Sequence, residues 1–266
     1  MHTIIIGNGF DINLGLPTRY SDFIKSAYFH ELIERKDSKL AKYLSHRSEH
    51  ENWVDIENEL KKYIKTQHTY FDFKREYEEL CNALKNYMSS IDISKINRDS
   101  RAFQLFNNWI EDPDFTIIDF NYTSTSQNLL VERGIEEAEI SGKLVKIHGS
   151  ITHDYIIFGI EDELTLVQYS FLWKSAHLEF GKIDLSTKLH NSNKITIFGH
   201  SLGTTDHSYF KRFFSESSHS PGILGRKIID IHFKSDHQPI TQEVIKLTQG
   251  NLEGIRTKHQ TKFIPV

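Results

Sequence analysis

Three stretches of the chain set a polar side chain capable of chemistry just behind an apolar run. Phe115–Ile118 leads into Asn121-Tyr122-Thr123, a run ending at Ile147 delivers His148-Gly149-Ser150, and Ile195–Phe198 is followed by Gly199-His200-Ser201, with Asp206 close behind. A histidine titrates near neutrality and suits proton removal at His148. Asn121 can donate and accept hydrogen bonds, so it suits fixing a hydroxyl or a water. Each residue also has a plainer reading. Asn121 can be a turn former, Thr123 or Ser124 a helix cap, His148 a hydrogen-bonded core residue and Asp206 an N-cap.

A fourth stretch opens the chain: Thr3-Ile4-Ile5-Ile6 runs straight into Gly7-Asn8-Gly9. Read as a buried parallel strand and its turn, it brings the backbone close either to itself or to a nucleotide. The dinucleotide pattern G-x-G-x-x-G needs a third glycine at position 12, where Ile12 stands, and the next glycine is Gly15. No G-x-x-x-x-G-K-[ST] occurs, which argues against a P-loop NTPase.

Positioning these groups together requires a sheet whose strand ends converge. Strand-like runs fall at Ile4–Ile6, Phe115–Ile118, Leu144–Ile147, Tyr155–Phe158, Ile195–Phe198 and Ile228–Phe233, with helical patterns between most of them. That alternation predicts an α/β fold: a Rossmann-like, mainly parallel sheet with helices on both faces, forming one domain over residues 1–266. Residues 22–111 differ from the rest. They have almost no glycine or proline and show helical spacing, as in Trp53, Ile56, Leu60 and Ile64. They predict a helical insertion after the first strand, serving as a cap over the strand ends or as an assembly surface.

With 266 residues, 38% hydrophobic and 12% aromatic, the chain can bury a substantial core. A net charge of −4 gives no bulk attraction to nucleic acid or anionic membranes. The single cysteine, Cys81, excludes an internal disulfide and any zinc ribbon. The 15 histidines show no H-E-x-x-H pair or other ligand spacing, so no metal is expected. No apolar run approaches the roughly 18 residues needed to span a bilayer. With no signal peptide ahead of the first strand, the expectation is a cytoplasmic protein.

The stretches GNGFDINLGLPTRYSDF, NWVDIENEL, DFNYT, KIHGS and FGHSLGTTDHSYF, spread across most of the chain, resemble the AbiH abortive-infection family of anti-phage proteins, itself sirtuin-like. Gly7-Asn8-Gly9 and Gly15-Leu16-Pro17 are similar to the sirtuin G-A-G and G-[IV]-P elements. Asn121 matches the asparagine of Q-N-[IV]-D, His148 the histidine of H-G, and Gly199-His200-Ser201-Leu202 resembles G-T-S-L. The resemblance implies an anti-phage effector that hydrolyses NAD to nicotinamide and ADP-ribose, with Asn121 and His148 catalytic. It also implies an NAD site at Gly7, Asn8, Gly9, Phe10, Asp11, Pro17, Thr18, Gly199, His200, Ser201 and Asp206, the last with Gly199 and Ser201 toward the adenosine. Departures weigh against deacetylation. The four zinc cysteines are missing, Thr123 stands where sirtuins carry aspartate, and Asp11 stands in place of serine. Asp55 and Glu57 in the insertion are further candidates, Glu57 either capping the pocket or making a surface ion pair. An effector of this kind implies control by a protein partner, by homo-oligomerisation or by a trigger ligand. The alternative is a nucleotide sensor that keeps the pocket and catalyses nothing. A nucleic-acid-directed enzyme has no motif in its favour.

Overall fold

The computed structural model describes residues 1–50, 56–66, 69–153, 155–177, 184–219 and 225–266. Its strands are β1 (His2–Ile6), β2 (Phe115–Asp119), β3 (Leu144–Lys146), β4 (Gly149–Ser150), β5 (Tyr155–Ile156), β6 (Lys194–Phe198), β7 (Ile228–Phe233) and β8 (Gln260–Pro265). Six of them form one parallel sheet in the order β3-β2-β1-β6-β7-β8. Counted within the sheet alone, this is the doubly wound order 3-2-1-4-5-6, and the connection reverses direction between β1 and β6.

Two of the strands differ from the sequence reading. Tyr155–Phe158 does not join the sheet: Tyr155–Ile156 pairs antiparallel with Gly149–Ser150 in a separate short ladder. The sheet instead ends in β8, whose sequence QTKFIP has a polar first half and only Phe263 and Ile264 as strand-forming apolar residues. An edge strand has one neighbour and tolerates both the lysine and the terminal proline.

Strand residues alternate between two faces, as the period of two requires. Ile4, Ile6 and Ile117 pack on one side with α1 (Asn8–Asn13), α7 (Arg101–Trp109), α8 (Thr125–Glu132) and α9 (Glu137–Lys143). Ile5, Ile118, Ile197 and Ile231 face the other side, against α10 (Leu185–Asn191), α11 (His207–His219), α12 (Gln238–Leu247) and α13 (Leu252–Lys258).

Between β1 and β2 the described residues of 22–111 carry helices and no strand. They divide between two cores. Helix α7 covers the sheet through Ala102, Phe106 and Trp109. Helices α2 (Tyr20–Ile24), α3 (Ala27–Glu34), α4 (Lys39–His50), α5 (Ile56–Tyr63) and α6 (Tyr70–Ser90) enclose a third core of their own. That cap core is completed by Tyr122, Ile156, Phe158, Ile160 and Leu172, which come from behind β2 and β3. The Tyr77 hydroxyl donates to the Phe158 carbonyl, and Tyr122 Oη donates to Ile157 O at 3.3 Å. Cap and sheet are therefore tied by interleaved chain.

At the switch between β1 and β6 the two loops touch. The Gly9 N–H donates to Gly199 O at 2.8 Å, and the Gly7 N–H to Phe198 O at 3.1 Å. A Cβ on Gly9 would lie 2.6 Å from Gly199 Cα, and one on Gly199, which holds φ at +68°, would lie 2.3 Å from Phe10 N. The room left by these missing side chains is filled by backbone. Gly199→Ala should cost more than the about 1–3 kcal/mol of left-handed strain alone, because the obstructing atom is main chain. Urea denaturation measures this, and a midpoint equal to wild type would show that the loops do not pack in this way.

Candidate functional site

The strand ends β2, β1, β6 and β7 open on a cavity of about 850 Å³, roofed by Tyr20, Glu57 and Met88 of the cap. Its residues are held by local bonds. Asp119, last in β2, accepts the Asn121 N–H at 2.7 Å on Oδ1 and takes the Ser126 hydroxyl and Lys146 Nζ (2.8 Å) on Oδ2. Lys146 also donates to Thr123 O at 2.7 Å, so the turn carrying Asn121 is stapled at both ends. The amide Nδ2 of Asn121 is buried and has no partner. An unpaired buried donor is costly, so this amide is a candidate for binding a ligand group or a water.

His148 follows β3, where its carbonyl accepts the Ile157 N–H at 2.8 Å. Its Nε2 lies 3.0 Å from Asp206 Oδ1, in ion-pair range though off the line of a hydrogen bond. Asp206 Oδ2 lies 3.3 Å from His200 Nε2. The Leu202 N–H donates to His200 Nδ1 at 2.9 Å, which leaves the proton of neutral His200 on Nε2, facing Asp206. One carboxylate thus stands between two imidazoles.

The same carboxylate meets a buried cation. Lys174 Nζ lies 2.9 Å from Asp206 Oδ1, 3.1 Å from Glu57 Oε2 and 3.1 Å from Thr205 O, so its three protons are all directed. Burial works against an ionised Asp206, but Lys174 first, then His148 and His200, outweigh it and hold the group well below the usual carboxylate range. Burial also opposes the charge of Lys174, yet Asp206 and Glu57 raise it above its ordinary value. Burial and then Lys174 lower His148, leaving a neutral imidazole at physiological pH. Among the described residues no group of three His, Cys, Asp or Glu side chains is arranged so as to hold a metal ion.

Most of the sequence candidates meet here. Gly7, Asn8, Gly9, Asp11, Thr18, Asn121, His148, Gly199, His200, Ser201 and Asp206 all line the cavity. Phe10 and Pro17 do not. Phe10 is fully buried against Phe106 and Phe198 in the sheet core, and the Pro17 carbonyl accepts Tyr87 Oη at 2.6 Å. Asn8 and Thr18 are engaged with each other, Asn8 Nδ2 donating to Thr18 O at 3.0 Å. Asp206 adjoins both imidazoles, 3.0 Å from His148 Nε2 and 3.3 Å from His200 Nε2. Glu57 is buried on the cavity roof and not in a surface pair, whereas Asp55 lies outside the described residues. Cys81 is packed in the cap, its thiol pushed up to about 12 by burial.

Two features escaped the sequence reading. Lys174 follows Phe171-Leu172-Trp173, and a lysine closing so apolar a run was the available signal. The wall formed by His232, Phe233, Lys234, Asp236 and Gln242 begins at the end of β7, whose strand was foreseen without its polar turn.

Fold and cavity together define a capped, Rossmann-like α/β protein with a histidine–aspartate–lysine cluster under the cap. The family profile of the bacteriophage abortive infection protein AbiH matches residues 3–222, so the chain belongs to the AbiH family, and phage abortive infection is its setting. Comparison with curated proteins gives no match. Among the described residues no helix is long and apolar enough to cross a membrane.

Asp11 supplies a test of this geometry. Its Oδ2 accepts the Thr123 hydroxyl at 2.6 Å while Oδ1 is buried without a partner. Burial, reinforced by the nearby Asp119, raises it from 3.8 to about 7. A folded pKa above the unfolded one contributes stability that is complete below about pH 4 and is lost as pH rises through 7. Asp11→Asn keeps an acceptor for Thr123 and removes that loss. Its melting temperature should gain on wild type between pH 5 and pH 8, with roughly 3 kcal/mol as the ceiling over that window. An equal difference at both pH values would show that Asp11 ionises normally.

Proposed function

We propose that the chain is a sirtuin-like NAD hydrolase, a cytoplasmic effector of abortive infection that splits NAD into nicotinamide and ADP-ribose. One observation carries this reading. A single cavity across the switch point holds the unpaired Asn121 amide and a neutral His148 backed by Asp206. Dinucleotides bind across that crevice in doubly wound folds. Lys234, at the β7 end, is the only lysine or arginine lining the cavity among the described residues, and it would meet ligand phosphate.

In the reaction the bond between nicotinamide nitrogen and ribose C1′ breaks, and its electron pair leaves with nicotinamide. Water oxygen bonds to C1′ and gives its proton to His148, so NAD and water yield nicotinamide, ADP-ribose and one proton. Asn121 Nδ2 would hold a ribose hydroxyl or the water. Such an enzyme depletes its own cell, and control by a partner or by a second copy of the chain belongs to this proposal.

The glycine turn has a narrower role than a phosphate cradle. Its free space is taken by the Gly199 loop, so the phosphates would rest on the rim of the turn. Among the described residues five acidic side chains line the cavity, at Asp11, Glu57, Asp206, Asp236 and Glu243. The acid excess burdens any phosphate ligand, and the second reading is a nucleotide sensor in which the same unpaired Asn121 amide holds the ligand without turnover.

Release of nicotinamide from NAD by the purified protein tests the proposal, with phage-infected extract as the source of a trigger. Asn121→Ala and His148→Ala should keep wild-type melting behaviour, and loss of the base should reduce cleavage by about 10²–10⁴-fold. Folded variants that cleave at the wild-type rate would remove both residues from the mechanism. Tight NAD binding with no turnover in triggered extract would establish the sensor instead.

A further inference from the structure

We propose that Glu57 and Lys174 are positioning residues that set how readily His148 takes up a proton, so that the cap supplies part of the proton chemistry at the strand ends. The proposal rests on the reading of His148 as base. Three separate stretches of chain meet at one point: Glu57 comes from cap helix α5, Lys174 from the connection before β6, and Asp206 from the turn after it. Lys174 is held there by backbone as well, since its N–H donates to Ile160 O at 2.9 Å and the Ile160 N–H donates to Leu172 O at 2.8 Å.

Asp206 Oδ1 is shared, 2.9 Å from Lys174 Nζ and 3.0 Å from His148 Nε2. The charged and titratable groups around His148 are Asp206, Lys174 and His200, with the phenols of Tyr122 and Tyr209 facing its ring and Glu57 behind Lys174. With neutral His148, the two carboxylates and one ammonium sum to a single negative charge, which a proton on His148 cancels. Removing the ammonium leaves two negative charges and favours that proton. Removing the Glu57 charge leaves none and disfavours it. A latch that only holds the cap down would not move the titration in opposite directions.

The test is the ring-proton NMR titration of His148 in the free, full-length protein, assigned by loss of its signal in His148→Gln. Lys174→Met should raise the midpoint by about one unit or more, Glu57→Gln should lower it, and Lys174→Arg should leave it near wild type. A Lys174→Met midpoint at or below wild type, or a Glu57→Gln midpoint at or above it, overturns the proposal. Should Lys174→Met not fold, the Glu57→Gln arm decides alone. The titration needs no substrate, so a wild-type protein that fails to cleave NAD would sink the NAD reading and leave this result standing. Where cleavage is measured, the acid limb of its pH–rate profile should move with the NMR midpoints.

Discussion

The contact on which the site depends is the backbone seam between the β1 and β6 loops. Gly9 gives its N–H to Gly199, and neither residue has space for a side chain. The seam sits at the one place in the sheet where the winding order reverses, so it fixes the loops on either side together. From it the β6 turn runs through Leu202, at φ +54°, to deliver His200 and Asp206 under the cap. On the β1 side the same seam orients α1 and hence Asp11 toward Thr123 behind β2. A shift of a few tenths of an ångström here would be felt at Asn121, His148 and Asp206 alike, because packed interiors transmit displacement instead of absorbing it.

Much of this was legible in the sequence because parallel strands declare themselves. Ile4–Ile6, Phe115–Ile118 and Ile195–Phe198 are apolar on both faces, and polar residues placed immediately behind them must gather at one edge. That logic located Asn121, His148 and the Gly199–Ser201 turn. It did not separate residues pointing into the crevice from those pointing under it. Phe10, one position beyond Gly9, turns into the sheet core, since a one-turn helix alternates faces within a few residues. Nor could spacing reveal the partner of Asp206. Lys174 lies 32 positions earlier in a segment without regular periodicity, and only the fold brings the two charges together. β8 escaped for a different reason: edge strands need few apolar residues, so QTKFIP carries no strong strand signal.

The buried cluster also clarifies what the insertion contributes. A lone lysine under a cap would be expelled or neutralised by burial; two carboxylates and a carbonyl keep Lys174 charged. One of those carboxylates belongs to the cap, so the insertion is part of the electrostatic balance of the strand-end site and not only a cover over it. The aromatic packing around Phe73, Tyr77, Phe158 and Phe171 supplies the apolar burial that holds this arrangement in register.

The interleaving of the cap core has a mechanical consequence. Tyr122 belongs to that core and directly follows Asn121, while Ile156 and Phe158 adjoin the segment bonded to His148. A hinged lid made of α2–α6 could not lift away without pulling on the very turns that carry the two polar groups beneath it. The cavity's other rim is free of the cap core, and there Lys234, Asp236, Pro239 and Gln242 stand exposed at the edge of α12. That rim lies beyond residue 222, past the stretch that the AbiH profile matches. This rim and the strand-end cluster are thus drawn from different parts of the chain, and the rim can be reshaped without disturbing the seam.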